Sequence, residues 1–288
     1  DTRYIAAYLE GIRDGARFLD AVKNAVRTKP VVVWKAGLTP LGERAAQSHT
    51  GSLAGGPAIW KGVLAQAGAS SVQGLDEAVD ALTAHYYLKK PGPRIAVVGG
   101  GGAIGVFSCD LASQWRLDLP RFSDTTRRHL RRHFPTPGNS MANPLDTGSP
   151  VIPLETMQAS IQKIARNEPI DVVVVILLMR PLELEVRRFM AMAGMDAPPP
   201  GIYLEQLLGH LVEIKRETGK DIAVVLENRA GQQEEMDVEA TRRRMRDRYQ
   251  SHGFPVFCSA KRALRGISHA VQRGRFLEGS DGLQIKNL

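Results

Sequence analysis

The sequence predicts an α/β protein of two doubly wound parallel-sheet units, the first of them incomplete. Three observations carry this. Strand-length apolar runs alternate with helix-period segments on both sides of Lys89-Lys90-Pro91-Gly92-Pro93, as in parallel strands joined by right-handed crossovers. The run from Asp171 to Leu178 is apolar without alternation, which suits a central strand covered on both faces. The glycine-rich stretch Gly99 to Gly105 follows another such run and opens a helix.

Tyr4 to Leu9 reads as a buried strand. Gly11 and Gly15 bracket a turn into a helix with Phe18, Val22, Ala25 and Val26 on one face. Lys29-Pro30 ends it, and Val31 to Trp34 is the next strand. Ala45 to Gly56 is made largely of small or polar residues and reads as a loop, followed by a helix from Ala58 to Ala67 capped by Gly68. Leu75 to Leu88 is an amphipathic helix with Leu75, Val79 and Leu82 inward and Asp76, Glu77 and Asp80 on the solvent face. Proline and glycine at 89–93 break both helix and strand, so the chain divides into residues 1–90 and 91–279, with a tail at 280–288. In the second part, Arg94 to Val98, Asp171 to Leu178, Ile222 to Leu226 and Pro255 to Phe257 are strands. Helices run from about Gln232 to His252 and from Ser259 to Arg273.

With 288 residues, 43% hydrophobic and 24% charged, the composition is that of a globular protein with a sizeable core. The net charge of +8 favours anionic partners. Aromatic residues are only 6%, with no aromatic-plus-basic stacking motif, which argues against nucleic acid. The basic stretches Arg127 to His133 and Arg242 to Arg248 read as solvated helix faces. Cys109 and Cys258 lack metal-ligand spacing and suggest free thiols in a reducing, cytoplasmic setting. No apolar run is long enough for a membrane span, and no signal peptide is evident.

Gly100, Gly102 and Gly105 satisfy the G-x-G-x-x-G dinucleotide pattern. The acidic residue such a site needs about 20 positions on is Asp118, which begins a strand-like stretch where it should end one. Asn143 and Asp146 read as loop braces through side-chain-to-backbone hydrogen bonds, or as ligand contacts. The sharper chemistry lies at Ser48-His49-Thr50-Gly51-Ser52-Leu53-Ala54-Gly55. A histidine in a polar segment is ordinarily a surface residue; this one is flanked by hydroxyls and glycine N–H groups able to receive an anion. Glu10 ends the first strand, and the His49 segment follows the end of the second. In parallel sheets both ends lie on the ligand-binding edge, so the two can converge.

That eight-residue segment resembles the phosphohistidine loop of the NDP-forming acyl-CoA synthetases, the superfamily that includes succinyl-CoA synthetase. Tyr8-Leu9-Glu10-Gly11-Ile12 is similar to the strand end that supplies a carboxylate to that histidine, and Ala142 to Gly148 is similar to the family's N-P-x-D segment. The resemblance runs to about Glu278. It implies two flavodoxin-like domains and an acid–thiol ligase in which His49 carries a phosphoryl group between nucleotide and carboxylic acid. Glu10 would orient the imidazole, and Gly51, Ser52 and Gly55 would hold the phosphoryl group. CoA and ATP or ADP are the implied substrates, with Mg accompanying the nucleotide. The relatives place glycines after the strand at 171–178; this chain has Met179-Arg180-Pro181-Leu182, making Arg180 the candidate anion ligand there. The family's CoA-binding and ATP-grasp domains are not read in these residues, and the chain reads as beginning inside the first flavodoxin-like domain. The expectation is an oligomeric, alpha-type fragment or subunit completed by those partners and inactive in acyl-CoA turnover alone. The alternative is a non-catalytic binding or regulatory module of the same fold.

Overall fold

In the first part of the chain, Ile5–Leu9 forms β1, Gly15–Thr28 α1, Val31–Lys35 β2, Pro40–Thr50 α2, Pro57–Gln66 α3, Ser70–Val72 β3 and Leu75–Tyr87 α4. The second part holds β4 (Ile95–Gly99), α5 (Gly102–Gln114), α6 (Asp124–His133), α7 (Leu154–Asn167), β5 (Val172–Leu178), α8 (Met179–Met192), α9 (Ile202–Thr218) and β6 (Asp221–Glu227). A 3-10 turn (Gln233–Glu235), α10 (Met236–Ser251), β7 (Val256–Phe257) and α11 (Ala260–Ile285) complete it. This computed structural model describes residues 1–50, 56–89, 91–134, 139–149, 152–196, 198–228 and 233–285, with the backbone alone at 46–50, 234 and 280–285.

Two compact units result: Asp1–Tyr86 with Arg265–Leu288, and Tyr87–Leu264. From Arg265 onward α11 therefore belongs with the first unit, a return that neither the linker at 89–93 nor the 91–279 span read from the sequence signals. Its Phe276 packs on the core of Val22, Val26, Val31, Val33, Trp60 and Leu64. Gly68 is required there: its φ is +72°, and a Cβ would lie 2.4 Å from the Phe276 ring.

The first sheet is parallel, in the order β1-β2-β3. Val31 and Val33 face α1 and α3, whereas Val32 packs with Val72 and Ala81 towards α4, so helices cover both faces. β1 is not the buried strand expected. It lies at the sheet edge, its residues alternate between half-buried and exposed, and Tyr8 is 55% exposed.

The phase expected of α4 is also corrected. Leu75 and Val79 are exposed, while Asp80, Ala81 and Ala84 face inward. The cause is α11, which offers polar partners. Arg265 donates to Asp80 Oδ2 at 2.5 Å, and His269 Nε2 lies 3.0 Å from Glu77 Oε1. A carboxylate can replace an apolar residue at a packed face only when a cation is built opposite it.

The same region holds His85, whose Nε2 lies 3.1 Å from Ser70 Oγ. Burial pushes its pKa down to about 3, helped by the nearby charges of His269 and Arg273. Folded His85 thus stays neutral at mild acidity, whereas the unfolded chain protonates it near pH 6.5. Below that pH the unfolded state binds the extra proton, so stability falls as pH falls and levels off only near the folded value. Between pH 7 and pH 5 this one group is expected to cost about 2 kcal/mol. Urea unfolding of wild type and His85→Gln at both pH values measures it; an equal pH response in the two proteins refutes it.

The second sheet is parallel in the order β4-β5-β6-β7. Val172 to Val175 are all fully buried, as their unbroken apolar pattern requires of a doubly covered strand. On its edge away from β5, β4 makes parallel bridges from Arg94 to Asp118 and from Val98 to Leu145. Asp118 therefore sits in an isolated bridge, not at the start of the strand-like stretch expected. Chain segments lie on both sides of the first strand, which makes the doubly wound order with its switch point at β4.

Between those two bridges the partner is a side chain. Asn143 Oδ1 accepts from Val97 N at 3.0 Å, and its Nδ2 donates to Ile95 O at 2.7 Å and Pro120 O at 3.1 Å. Asp118 O accepts from Ile95 N, Leu145 N donates to Val97 O, and Leu145 O accepts from Gly99 N. The carboxamide thus stands in for a peptide unit in an otherwise continuous ladder. Asn143 takes the bracing role, one of its two sequence readings.

Candidate functional site

The site read from the sequence begins where β1 and β2 end side by side, with Leu9 in register with Lys35. Glu10 follows β1 directly. Tyr8 donates its hydroxyl proton to Glu10 Oε1 at 3.1 Å. Glu10 Oε2 is buried and has no hydrogen-bond partner among the described residues. A buried carboxylate oxygen without a donor is costly, by about 1–3 kcal/mol, and marks a place where a donor group belongs.

Beside it stands Lys35, which sequence reasoning missed. It is 3% exposed, its Nζ donates to Glu10 O at 2.9 Å and to Ala36 O, and it lies 5.1 Å from the Trp60 ring centroid. Burial lowers the ammonium pKa, while the Glu10 and Glu43 carboxylates pull it back up. The signal was available. Lys35 shares the period-2 face of Val31 and Val33, so a strand with that face buried carries a lysine into the core edge. Lys35→Met is expected to lower stability by about 1–2 kcal/mol. Two carbonyls lose a charged donor, partly offset by the desolvation cost the ammonium no longer incurs. Urea unfolding checks this, and a variant as stable as wild type contradicts it.

After β2 the chain turns at Gly37, whose φ is +72°, and enters α2. Thr39 caps that helix, its Oγ1 accepting from Gly42 N at 3.1 Å, with Pro40 as the first helical residue and Glu43 in the first turn. The helix continues to Thr50. The stretch 45–56 is thus not a loop throughout: Ala45 to Thr50 are helical, and His49 lies within α2. The Thr-Pro start and the run Glu43-Arg44-Ala45-Ala46-Gln47 of good helix formers were the overlooked signals. The His49 side chain and residues Gly51, Ser52 and Gly55 lie outside the described residues.

Arg180 lies in the first turn of α8, within the second unit. It forms an ion pair with Glu235, so its charge already has a partner. The strand β5 passes straight into α8 at Met179 with no intervening turn.

The glycine-rich turn of the second unit has Gly99, Gly100 and Gly101 at φ of 90°, 84° and 78°. A Cβ on Gly99 would meet Ile176 O at 2.5 Å, and one on Gly102 would meet Asp146 Oδ2 at 3.0 Å. The Asp146 carboxylate, which also accepts from Gly148 N, thus occupies the start of α5, where a dinucleotide would need to present its pyrophosphate. The turn serves close packing, with Gly105 against Pro144.

Among the described residues no three His, Cys, Asp or Glu side chains gather as a metal site, and no helix is long and apolar enough to cross a membrane. Both cysteines are free thiols.

Comparison with known proteins is consistent with this arrangement. The family model of the succinyl-CoA ligase-like flavodoxin domain matches residues 1–85. The chain is 34% identical over 176 residues to acetate–CoA ligase (ADP-forming) I of Archaeoglobus fulgidus, covering 61% of this chain and 25% of that protein. It is 36% identical over 146 residues to the acetate–CoA ligase (ADP-forming) II subunit alpha of Pyrococcus furiosus, covering 51% of this chain and 32% of that one. The chain therefore spans about a quarter to a third of the length of these relatives. Its fold matches the solved structure of acetyl-coenzyme A synthetase 1 from Ca. Korarchaeum cryptofilum in complex with phosphate and ADP. The TM-score is 0.74 at 24% identity, covering 97% of this chain and 55% of that one. Residues 1–85 thus match the succinyl-CoA ligase-like flavodoxin domain, and over half or more of its length the chain is similar to ADP-forming acetate–CoA ligases.

Proposed function

We propose that the chain is the phosphoryl-carrying component of an NDP-forming acyl-CoA synthetase. His49 takes a phosphoryl group from a nucleoside triphosphate, passes it to a carboxylic acid, and the CoA thiol then displaces phosphate to give the acyl-CoA. The observation that carries the reading is Glu10: a buried carboxylate oxygen without a donor among the described residues, at the end of the strand next to the one that leads into the His49 helix.

The chemistry asks for such a group. A carboxylate accepting the N–H of one ring nitrogen fixes the tautomer and leaves the lone pair on the other free to attack phosphorus. In that step an N–P bond forms, the P–O bond to the nucleoside diphosphate breaks, and the diphosphate leaves with the bonding pair. The carboxylic acid substrate then attacks the same phosphorus, and His49 leaves as the neutral ring. Tyr8 and Lys35 hold Glu10 from two sides, through its Oε1 and its backbone carbonyl. N–H donors must receive the phosphoryl group on His49, and Gly51, Ser52 and Gly55 are assigned that role.

The relatives' names supply the rest of the reading. ADP-forming acetate–CoA ligation supports CoA and an adenine nucleotide as substrates, and "subunit alpha" supports completion by further chains; magnesium with the nucleotide, CoA-binding and ATP-grasp domains as the partners, and a cytoplasmic setting are assigned as part of this proposal. Arg180 is assigned as an auxiliary anion ligand that would first have to leave Glu235. That ion pair also favours a second reading, a non-catalytic module of the same fold. Incubating the complete assembly with radiolabelled acetyl phosphate separates the two. The catalytic reading requires a base-stable, acid-labile label on this chain; the module reading requires none.

A further inference from the structure

We infer that the second unit carries an anion-binding cleft, formed by Arg121, Arg127, Arg128 and Arg131 around Asp124, for a small ligand with two or more phosphate groups. The cleft has a volume of about 500 Å³ and lies between α6 and the segment 139–142. That size suits a nucleotide-scale ligand.

The helix is built for it. Positions 124, 127, 128 and 131 recur at three- and four-residue spacing and so share one face. The opposite face, Thr126 and Leu130, is buried in the core. The helix start is fixed rigidly: Ser123 Oγ accepts from Thr126 N at 3.3 Å and donates to Glu168 Oε1 at 2.6 Å. Like charges three and four apart on a helix repel, and a solvated face ordinarily intersperses carboxylates to relieve this. Here four guanidinium groups line one concavity with a single carboxylate, Asp124, which pairs with Arg127. Even so, Arg127 Nε is buried without a partner among the described residues. The Arg127 hydrogen bond, followed by the charges of Arg127, Arg128 and Arg121, holds the Asp124 carboxyl below the usual range. Asp124 thus marks where negative charge is stabilised.

Guanidinium forks match phosphate oxygens in geometry and number. One monovalent anion would do no more than Asp124 already does; satisfying the remaining arginines takes at least two charged groups. The lining contains no aromatic side chain on which successive bases could stack, and the cleft is local. A small phosphorylated molecule therefore fits it better than a nucleic-acid strand.

Isothermal titration with inorganic pyrophosphate, at matched ionic strength against orthophosphate and acetate, tests the assignment. The proteins compared are wild type, Arg128→Gln/Arg131→Gln, and the exposed control Arg188→Gln. Saturable pyrophosphate binding is expected in wild type and in the control. It should exceed orthophosphate binding and weaken tenfold or more in the double variant, since each lost charged hydrogen bond is worth about a factor of ten. The cleft is refuted by absent binding in wild type, undiminished binding in the double variant, or equal loss in the control. It is likewise refuted by a single-stranded oligonucleotide that displaces pyrophosphate and binds more tightly. Far-ultraviolet circular dichroism of the double variant separates lost binding from lost fold.

Discussion

Replacing His49 by alanine is expected to remove all acid-labile phosphorylation from the complete assembly, and replacing Glu10 by glutamine to slow phosphorylation about a hundredfold. The two numbers differ because the two residues do different work. His49 is the atom that bonds to phosphorus, and nothing else in the segment Ala45 to Gly56 has a nucleophilic nitrogen. Glu10 acts through the ring. Glutamine keeps its size and can still accept a hydrogen bond, but it loses the charge that strengthens the imidazole, an effect on the scale of general-base catalysis. The substitution also leaves the fold largely untouched, since Tyr8 can donate to an amide oxygen and Lys35 bonds the Glu10 backbone carbonyl. Rapid-quench labelling of both variants provides the measurement. A label that survives His49→Ala, or a Glu10→Gln rate equal to wild type, would sink the assignment.

Much of the frame of this site could be read in advance. The alternation of Ile5–Leu9, α1 and Val31–Lys35 announces two parallel strands, and parallel strands put Glu10 and the entry to α2 on one edge. What escaped was decided by contacts far away in sequence. Composition alone made Ala45 to Thr50 a loop, because small and polar residues suit both a loop and an exposed helix; the Thr39 cap and Pro40 tipped the balance. Lys35 lies just past the Val31 to Trp34 strand read from the sequence, although its neighbours on the same face are buried. The face of α4 was misread because Leu75 and Val79 outscore Asp80 on any apolar scale. Arg265 and His269, some 185 to 192 positions later, supply partners that help make an inward-facing Asp80 and Glu77 tolerable. Periodicity reports what a helix would bury against oil, and here the neighbour is a helix carrying matched charges.

The segment around Asn143 shows the same limit and yields the largest stability effect expected of any single side chain discussed. Its resemblance to a family motif left two readings, loop brace or ligand contact, and a sequence pattern cannot separate them. The hydrogen bonds do. Ile95 and Val97 are fully buried in the first strand of the second sheet; on its outer edge Ile95 N and Val97 O pair with the backbone of Asp118 and Leu145, and Ile95 O and Val97 N find their partner among the described residues in a side chain. Asn143 satisfies both with one planar amide, donating to Ile95 O and accepting from Val97 N. Asn143→Ala removes the donor and the acceptor together and leaves two backbone groups without partners. At about 1–3 kcal/mol for each such group, the expected loss is about 3 kcal/mol, with Pro120 O losing its donor as well. Asn143→Asp serves as the discriminating partner: it keeps the acceptor for Val97 N but turns a second acceptor towards Ile95 O, so it should be no more stable than alanine. A ligand-contact role would predict the opposite pattern, near-wild-type stability with impaired binding. Urea unfolding followed by tryptophan fluorescence and by circular dichroism measures the loss; a change below about 1 kcal/mol for Asn143→Ala would return the residue to the ligand reading.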